Sequence, residues 1–220
     1  MIKTNWLRVY LFTFIVSISV FSVGNTENEF PLDPAITYGK LENGFTYYIR
    51  ENQTPKNKAT IKLIIKAGSI MEEENQLGLA HLLEHMAFNG SKNFPKKKID
   101  EYMSSIGLNL GSHYNATTSF LKTSYDYEIP TKNDEDIEVA LKILTDISKN
   151  LSLEPEAFEK ERKIVEEEWR KDIGGSQNYI NEFHKVMFKN SRFLERKPIG
   201  TLEVIQNFKY QDVIDYYQKW

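Results

Sequence analysis

Two histidines and a glutamate, spaced for one face of a helix, constrain this chain more than any other feature. They lie in the pentapeptide His81-Leu82-Leu83-Glu84-His85, which has apolar residues on both sides. This pattern predicts a helix that is largely buried. Residues four apart lie one above the other on a helix, so the two imidazoles point to one place. Glu84 lies on the same side.

This arrangement is typical of a catalytic metal site. Neutral imidazole is the commonest protein ligand for metals, and a catalytic zinc site uses three protein ligands and a water. A carboxylate beside that water can accept its proton. The order H-x-x-E-H is the inverzincin signature. The alternative is an ordinary helix surface, but two of only four histidines in the chain fall here.

Composition narrows the possible ligands and partners. The chain has 220 residues, a formal net charge of −3 and no cysteine. The absence of cysteine excludes disulfides and thiolate ligands, so histidine and carboxylate remain as the strong zinc ligands. The charge gives no reason to expect nucleic acid as a partner.

The first 24 residues have the pattern of a secretory signal. Lys3 and Arg8 precede an apolar run over residues 9–23, and Ser22-Val23-Gly24 has the small-x-small form of a cleavage site. A retained membrane anchor is the alternative, but the run is short for a span. We therefore predict a signal peptide over 1–24 and a domain over 25–220. The domain is expected to be exported, to the periplasm or outside the cell, with no stable membrane span after cleavage.

Strands and helices are predicted in blocks rather than in strict alternation. Asn43-Gly44 indicates a hairpin, and the acidic run Glu72-Glu73-Glu74 is interpreted as a solvated helix start. The predicted strands are 36–41, 45–50, 59–67, 108–116 and 119–129, and the main predicted helices are the histidine helix, 95–106, 134–150 and 155–171. Such blocks indicate an α+β fold, a largely antiparallel sheet with helices packed on one face.

The third metal ligand must come from another element, and the helix over 155–171 offers two candidates. At 100° per residue its apolar arc contains Phe158 and Val165, and Glu161 and Glu168 fall within that arc. A carboxylate on a buried face is costly unless it is paired or binds metal. The simpler explanation is an ion pair, with Arg162 or a lysine. Helical geometry alone does not choose between the two glutamates.

Several motifs in register resemble the pitrilysin/insulinase family of zinc metallopeptidases, and they cover nearly the whole chain after residue 24. They are LENGFTYYI (41–49), AGSI (67–70), HLLEHMAFNG (81–90), NATTS (115–119), ERKIVEEEWR (161–170) and PIGT (198–201). Each motif is weak by itself, but together they follow the order of the family.

The resemblance implies a role for each charged residue of the site. His81 and His85 resemble the two histidine ligands of Zn²⁺, and Glu168 resembles the third ligand. Glu84 resembles the general base that activates the attacking water. Glu161 resembles an upstream glutamate that supports the site without binding the metal.

The resemblance also implies how a peptide substrate is held. Asn115 and Ala116 resemble residues of an edge strand that pairs with the substrate backbone, which is β-augmentation. The alternatives for Asn115 are a loop residue or a glycosylation sequon, Asn115-Ala116-Thr117. His113 and His184 match no ligand of the family.

Taken as a whole, the resemblance implies a zinc-dependent endopeptidase that hydrolyses unfolded peptides. The alternative is a non-catalytic peptide-binding or scaffolding subunit of the same family. Members of the family are built from repeated α+β domains that close around the substrate. The chain resembles the first such domain, truncated at its C-terminal end, so further family domains are expected in a longer chain or in a partner subunit. The isolated piece is expected to bind zinc and to turn over weakly or not at all.

Overall fold

A computed structural model describes residues 31–171 and 174–220, so the predicted signal peptide lies outside the described residues. The chain divides into two units, one ending at Gln53 and one running from Thr54 to Trp220. No helix in the described ranges is both long and apolar enough to cross a membrane.

The first unit contains the predicted hairpin. Strand β1 (Ile36–Lys40) pairs antiparallel with β2 (Thr46–Arg50). The turn contains Gly44 at φ 89°, a conformation that glycine adopts without steric cost. The Asn43 side chain accepts a hydrogen bond from the Phe45 N–H at 3.1 Å and so fixes the turn. The Asn-Gly prediction is confirmed.

The second unit contains a three-stranded antiparallel sheet in the order β3-β5-β4. Its strands are β3 (Lys58–Ile65), β4 (Tyr114–Thr118) and β5 (Thr123–Pro130). The predicted strand over 108–116 is wrong in its first half, because β4 begins only at Tyr114 and residues 111–113 form a turn. Gly111 has φ 85°, and its N–H donates to the Tyr114 carbonyl at 2.8 Å. β4 therefore begins late, at one edge of the sheet.

The described part of the chain contains seven helices, which pack on this sheet or against one another. They are α1 (Leu79–Met86), α2 (Lys98–Ser105), α3 (Asp134–Lys149), α4 (Pro155–Lys171), α5 (Gly175–Met187), α6 (Leu202–Asn207) and α7 (Tyr210–Lys219). α2 and α3 bury Met103 and Ile143 against the sheet. α1 buries Leu79 and Leu82 in a second cluster with α4, α6 and α7. The fold is the predicted α+β class, with antiparallel sheets and packed helices.

Glu72 is fully buried at the start of α1, so the interpretation of the acidic run as solvated is wrong at this residue. Its carboxylate accepts hydrogen bonds from the N–H groups of Gly78 (2.9 Å) and Ala80 (2.8 Å). These N–H groups have no partner within the helix. Burial raises the pKa of Glu72 to about 7, although these bonds and the charge of Arg196 oppose the shift.

The backbone around Glu72 joins three parts of the fold. The Glu72 carbonyl accepts from Arg192 at 2.7 Å and from Arg196 Nε at 3.1 Å. The Ser69 N–H donates to the Ser119 carbonyl, just after β4, at 3.1 Å. The Ser69 hydroxyl donates to the Arg196 carbonyl at 2.5 Å. Residues 69–72 thus connect the start of α1, the end of β4 and the segment 192–200.

Two glycines let the segment 198–200 lie directly on the start of α1. Gly78 has φ 99° and Gly200 has φ 74°. A Cβ atom on Gly200 would lie 2.2 Å from the Leu77 carbonyl oxygen. Because that neighbour is backbone, a side chain cannot be accommodated without moving the segment.

We expect Glu72→Ala to lower the free energy of unfolding by about 2 kcal/mol or more, because two buried N–H groups lose their acceptor. The measurement is urea denaturation, with a lower midpoint at an unchanged slope. Glu138→Ala, at an exposed position of α3, is the matched control and should change the midpoint little. Equal midpoints for the two variants would contradict the role assigned to Glu72.

Candidate metal centre

Three ligand atoms from two helices form a triangle of the size that one metal ion requires. His81 Nε2 and His85 Nε2 are 3.2 Å apart. Glu168 Oε2 lies 3.6 Å from the first and 3.5 Å from the second. Ligands about 2.1 Å from a tetrahedral ion are separated from one another by roughly 3.4 Å. The donor set of two imidazoles and one carboxylate, and its spacing, therefore fit zinc.

The apolar faces of α1 and α4 set this geometry. Leu79, Leu82 and Met86 bury one side of α1, which leaves the histidines on the other side. Phe158 and Val165 bury the facing side of α4. The ligands are therefore held by two packed helices rather than by loops, which favours a preorganised site.

The two histidines have different proton affinities. Burial, followed by the nearby His85, lowers the pKa of His81 to about 4, so its ring is neutral at neutral pH. Burial also acts to lower the pKa of His85, but Glu161, Glu168 and Glu84 outweigh it and raise that pKa above its usual value. A bound cation can take the place of that proton, because the same carboxylates stabilise either positive charge.

Glu161 contacts the opposite nitrogen of His85. Its Oε2 lies 3.3 Å from His85 Nδ1, and its side chain is 8% exposed. Burial acts to raise the pKa of Glu161, but hydrogen bonds from His85 and Asn89 and the charge of Lys160 bring it below its usual value. A carboxylate at Nδ1 holds a ligating imidazole in the orientation and tautomer that direct Nε2 to a metal. Helical geometry alone does not distinguish Glu161 from Glu168. In the structure they have different neighbours, because Glu161 lies at His85 Nδ1 and Glu168 lies near both Nε2 atoms.

Glu84 lies beside the triangle and is not part of it. The Thr118 hydroxyl at the end of β4 donates to Glu84 Oε2 at 2.6 Å. Burial raises the pKa of Glu84, against the hydrogen bonds from the Thr118 hydroxyl and backbone N–H and the charge of His85. This carboxylate is therefore tied to the edge strand and has an increased affinity for a proton.

β4 presents an edge that no other strand covers in the described ranges. The His113 carbonyl accepts a hydrogen bond from β5, whereas the Thr118 N–H is directed at Glu84. Backbone groups alternate in direction along a strand. The N–H and C=O of Ala116 therefore face the open edge, while those of Asn115 face β5. The Asn115 side chain is exposed.

A cleft of about 380 Å³ lies beside these residues. Its lining comes from α1, β4, α5 and the segment 197–199, and consists of His81, Glu84, Ala116, Thr117, Thr118, Phe120, His184, Lys197, Pro198 and Ile199. Phe120, His184 and Lys197 could not be assigned to the site from the sequence, because no spacing rule links them to the histidine helix. His113 is not in the lining; its Nδ1 accepts from the Asn109 N–H at 3.2 Å, within the turn before β4.

Comparison with known families agrees with this fold and this three-ligand site. A family model described as "Insulinase (Peptidase family M16)" matches residues 47–194. The chain belongs to this family.

Among curated proteins, the chain is 35% identical over 218 residues to "Probable zinc protease PqqL" of Haemophilus influenzae, covering 99% of this chain and 23% of that protein. It is 33% identical over 190 residues to the protein of the same description in Escherichia coli, covering 86% and 20%. The chain thus spans less than a quarter of the length of these relatives.

Two solved structures show the same fold. The periplasmic protease PqqL from Escherichia coli superposes with a TM-score of 0.83 at 33% identity, covering 86% of this chain and 21% of that one. The ferredoxin protease FusC, in complex with Arabidopsis ferredoxin, superposes with a TM-score of 0.76 at 32% identity, covering 84% and 20%.

We expect Glu161→Gln to weaken zinc affinity by about 10- to 100-fold, because His85 loses the carboxylate that orients it. The measurement is a competition titration with a chromogenic chelator. Glu159→Gln is the matched control, since Glu159 lies on the same helix and pairs with Arg162 at the surface. If the two variants bound zinc equally well, Glu161 would have no supporting role.

Proposed function

We propose that this chain is the metal-binding domain of a zinc-dependent endopeptidase that hydrolyses unfolded peptides. The observation that carries the proposal is the triangle of His81, His85 and Glu168 with Glu84 beside it. Relatives described as zinc proteases, and membership of a peptidase family, support it.

In this proposal His81, His85 and Glu168 hold the zinc ion. Bound there, zinc supplies a Lewis acid that lowers the pKa of water and polarises the carbonyl of the scissile bond. Glu84 accepts the proton of the attacking water and then delivers it to the leaving amine. The raised pKa of Glu84, caused by burial, suits a group that must both accept and release a proton.

Two other residues keep these groups in position. The Thr118 hydroxyl and N–H hold the Glu84 carboxylate on the cleft side of α1. Glu161 holds His85 through Nδ1 and does not itself bind the metal. Both contacts come from packed elements, so little reorganisation is needed during the reaction.

The peptide is proposed to bind as an additional strand on the open edge of β4. Ala116 offers its N–H and C=O to the peptide backbone. Asn115 precedes it on β4 and has an exposed side chain. Main-chain pairing requires an extended peptide and gives little sequence preference. Unfolded polypeptides are therefore the expected substrates.

The proposal extends to location and domain organisation. Residues 1–24 are proposed as a signal peptide, and 25–220 as part of an N-terminal metallopeptidase domain. Further family domains, in the same longer chain or in a partner subunit, would complete the enzyme. The description of an Escherichia coli relative as periplasmic supports export, and the greater length of the relatives supports further domains.

Zinc content tests the ligand assignment. We expect about one zinc per chain after purification and a loss of most of it in Glu168→Ala, because two protein ligands hold zinc poorly. The measurement is elemental mass spectrometry on protein of known concentration. Glu167→Ala is the matched control, since the neighbouring Glu167 pairs with Arg170 at the surface. A folded, unmodified chain without zinc would contradict a preformed site.

Glu84→Gln tests the chemistry separately from the metal. We expect this variant to keep its zinc and to lower peptide hydrolysis at least about 100-fold, because the general base is lost. The assay is cleavage of an unfolded protein followed by mass spectrometry, with a longer form of the protein if the 220-residue chain is inert. A chain that binds zinc and peptide but cleaves nothing in either form would favour the binding-subunit alternative.

A further inference from the structure

Lys197 places a positive charge in the lining of the cleft that also contains His81 and Glu84. Its Nζ donates a hydrogen bond to the Asn181 side-chain oxygen on α5 at 2.6 Å. That partner is a neutral amide. No carboxylate of the described residues lies within ion-pair distance of Nζ, so the charge of Lys197 is not neutralised by an acidic neighbour.

The backbone beneath this lysine is fixed. Arg196, the preceding residue, is 3% exposed, and its carbonyl accepts from the Ser69 hydroxyl. The Lys197 carbonyl accepts from the Gly200 N–H at 2.9 Å, which closes a turn. Gly200 in turn lies against the Leu77 carbonyl at the start of α1. The backbone of Lys197 is therefore held against the helix that carries the metal ligands, while its ammonium group is tied to α5 through Asn181.

The lining of the cleft carries one cationic side chain, Lys197, and one acidic side chain. Glu84 is the only acidic residue in the lining, and Thr118 already donates to it. A divalent ion bound by His81, His85 and Glu168 would exceed the charge of its one carboxylate ligand by one. A fixed, unneutralised cation in such a cleft attracts an anionic group of the ligand.

We infer that Lys197 determines specificity, favouring peptides that carry a carboxylate close to the bond that is cut. The inference rests on the proposed function. An acidic side chain or a free C-terminus can supply the carboxylate, and each can reach the same ammonium group. The competing explanation is that Lys197 only braces the segment 197–200 against α5 through Asn181.

The test uses the zinc-loaded 220-residue chain with Glu84→Gln, which prevents turnover, and three labelled peptides. The first peptide carries glutamine beside the cleavage position and has an amidated C-terminus. The second is the same peptide with glutamate in place of that glutamine. The third is the glutamine peptide shortened so that it ends beside the cleavage position in a free carboxylate. Dissociation constants are measured by fluorescence anisotropy at low and high salt. We expect at least one carboxylate peptide to bind about tenfold more tightly than the neutral peptide, because a hydrogen bond to a charged group contributes about that much to affinity. The difference in affinity should decrease at high salt, because salt screens the charges.

The variants separate charge recognition from bracing. Lys197→Met should abolish the preference, Lys197→Glu should reverse it, and Lys197→Arg should retain it. Lys189→Glu, an equal change of charge at an exposed position outside the lining, should leave the preference unchanged. Zinc content, measured on every variant, checks that the fold and the metal site are intact.

Each outcome bears on a stated claim. A preference for the second peptide assigns the carboxylate to a side chain, and a preference for the third assigns it to the C-terminus. Equal binding of all three peptides overturns the inference and leaves the proposed function standing. Equal weakening of all three by Lys197→Met and Lys197→Arg shows a brace and also overturns it. Failure to bind zinc or any peptide overturns both.

Discussion

The buried Glu72 carboxylate at the start of α1 is the contact on which the site depends. It accepts hydrogen bonds from two N–H groups that have no acceptor within the helix. The backbone carbonyl of the same residue accepts hydrogen bonds from the guanidinium groups of Arg192 and Arg196. An unpaired carboxylate at this depth would be strongly unfavourable. The contact therefore forms only when α1 and the segment 192–200 are both in place. The adjoining Ser69 adds the end of β4 to the same assembly.

Four glutamates of this chain have four different environments. Glu72 is surrounded by N–H groups and supports a helix. Glu161 contacts His85 Nδ1, and Glu168 lies near both Nε2 atoms. Glu84 is tied to Thr118 at the edge strand, and burial raises its pKa. Since the side chain is the same in each case, the differences among the four glutamates come from their burial and their neighbouring groups.

Much of the fold could be predicted from local patterns. The Asn43-Gly44 hairpin and the helix Pro155–Lys171 lie where turn chemistry and periodicity predict them. The errors have a common cause. Residues 108–113 are predicted as strand, but Gly111 forms a turn in which its N–H donates to the Tyr114 carbonyl. Glu72 lies in an acidic run that is typical of a solvated helix start, but two arginines distant in sequence contact it. Both outcomes depend on partners that a local window does not contain.

For the site, helical periodicity in the sequence places His81, Glu84 and His85 on one side of a helix. It also leaves two candidates for the third ligand on the facing helix, Glu161 and Glu168. Helical periodicity fixes angles within an element, which is why these inferences were possible. The axial offset between two packed helices is set by their side chains, so which glutamate faces which imidazole nitrogen depends on how the two helices pack. Chain folding likewise brought Lys197 into the cleft, through contacts more than a hundred residues apart in sequence.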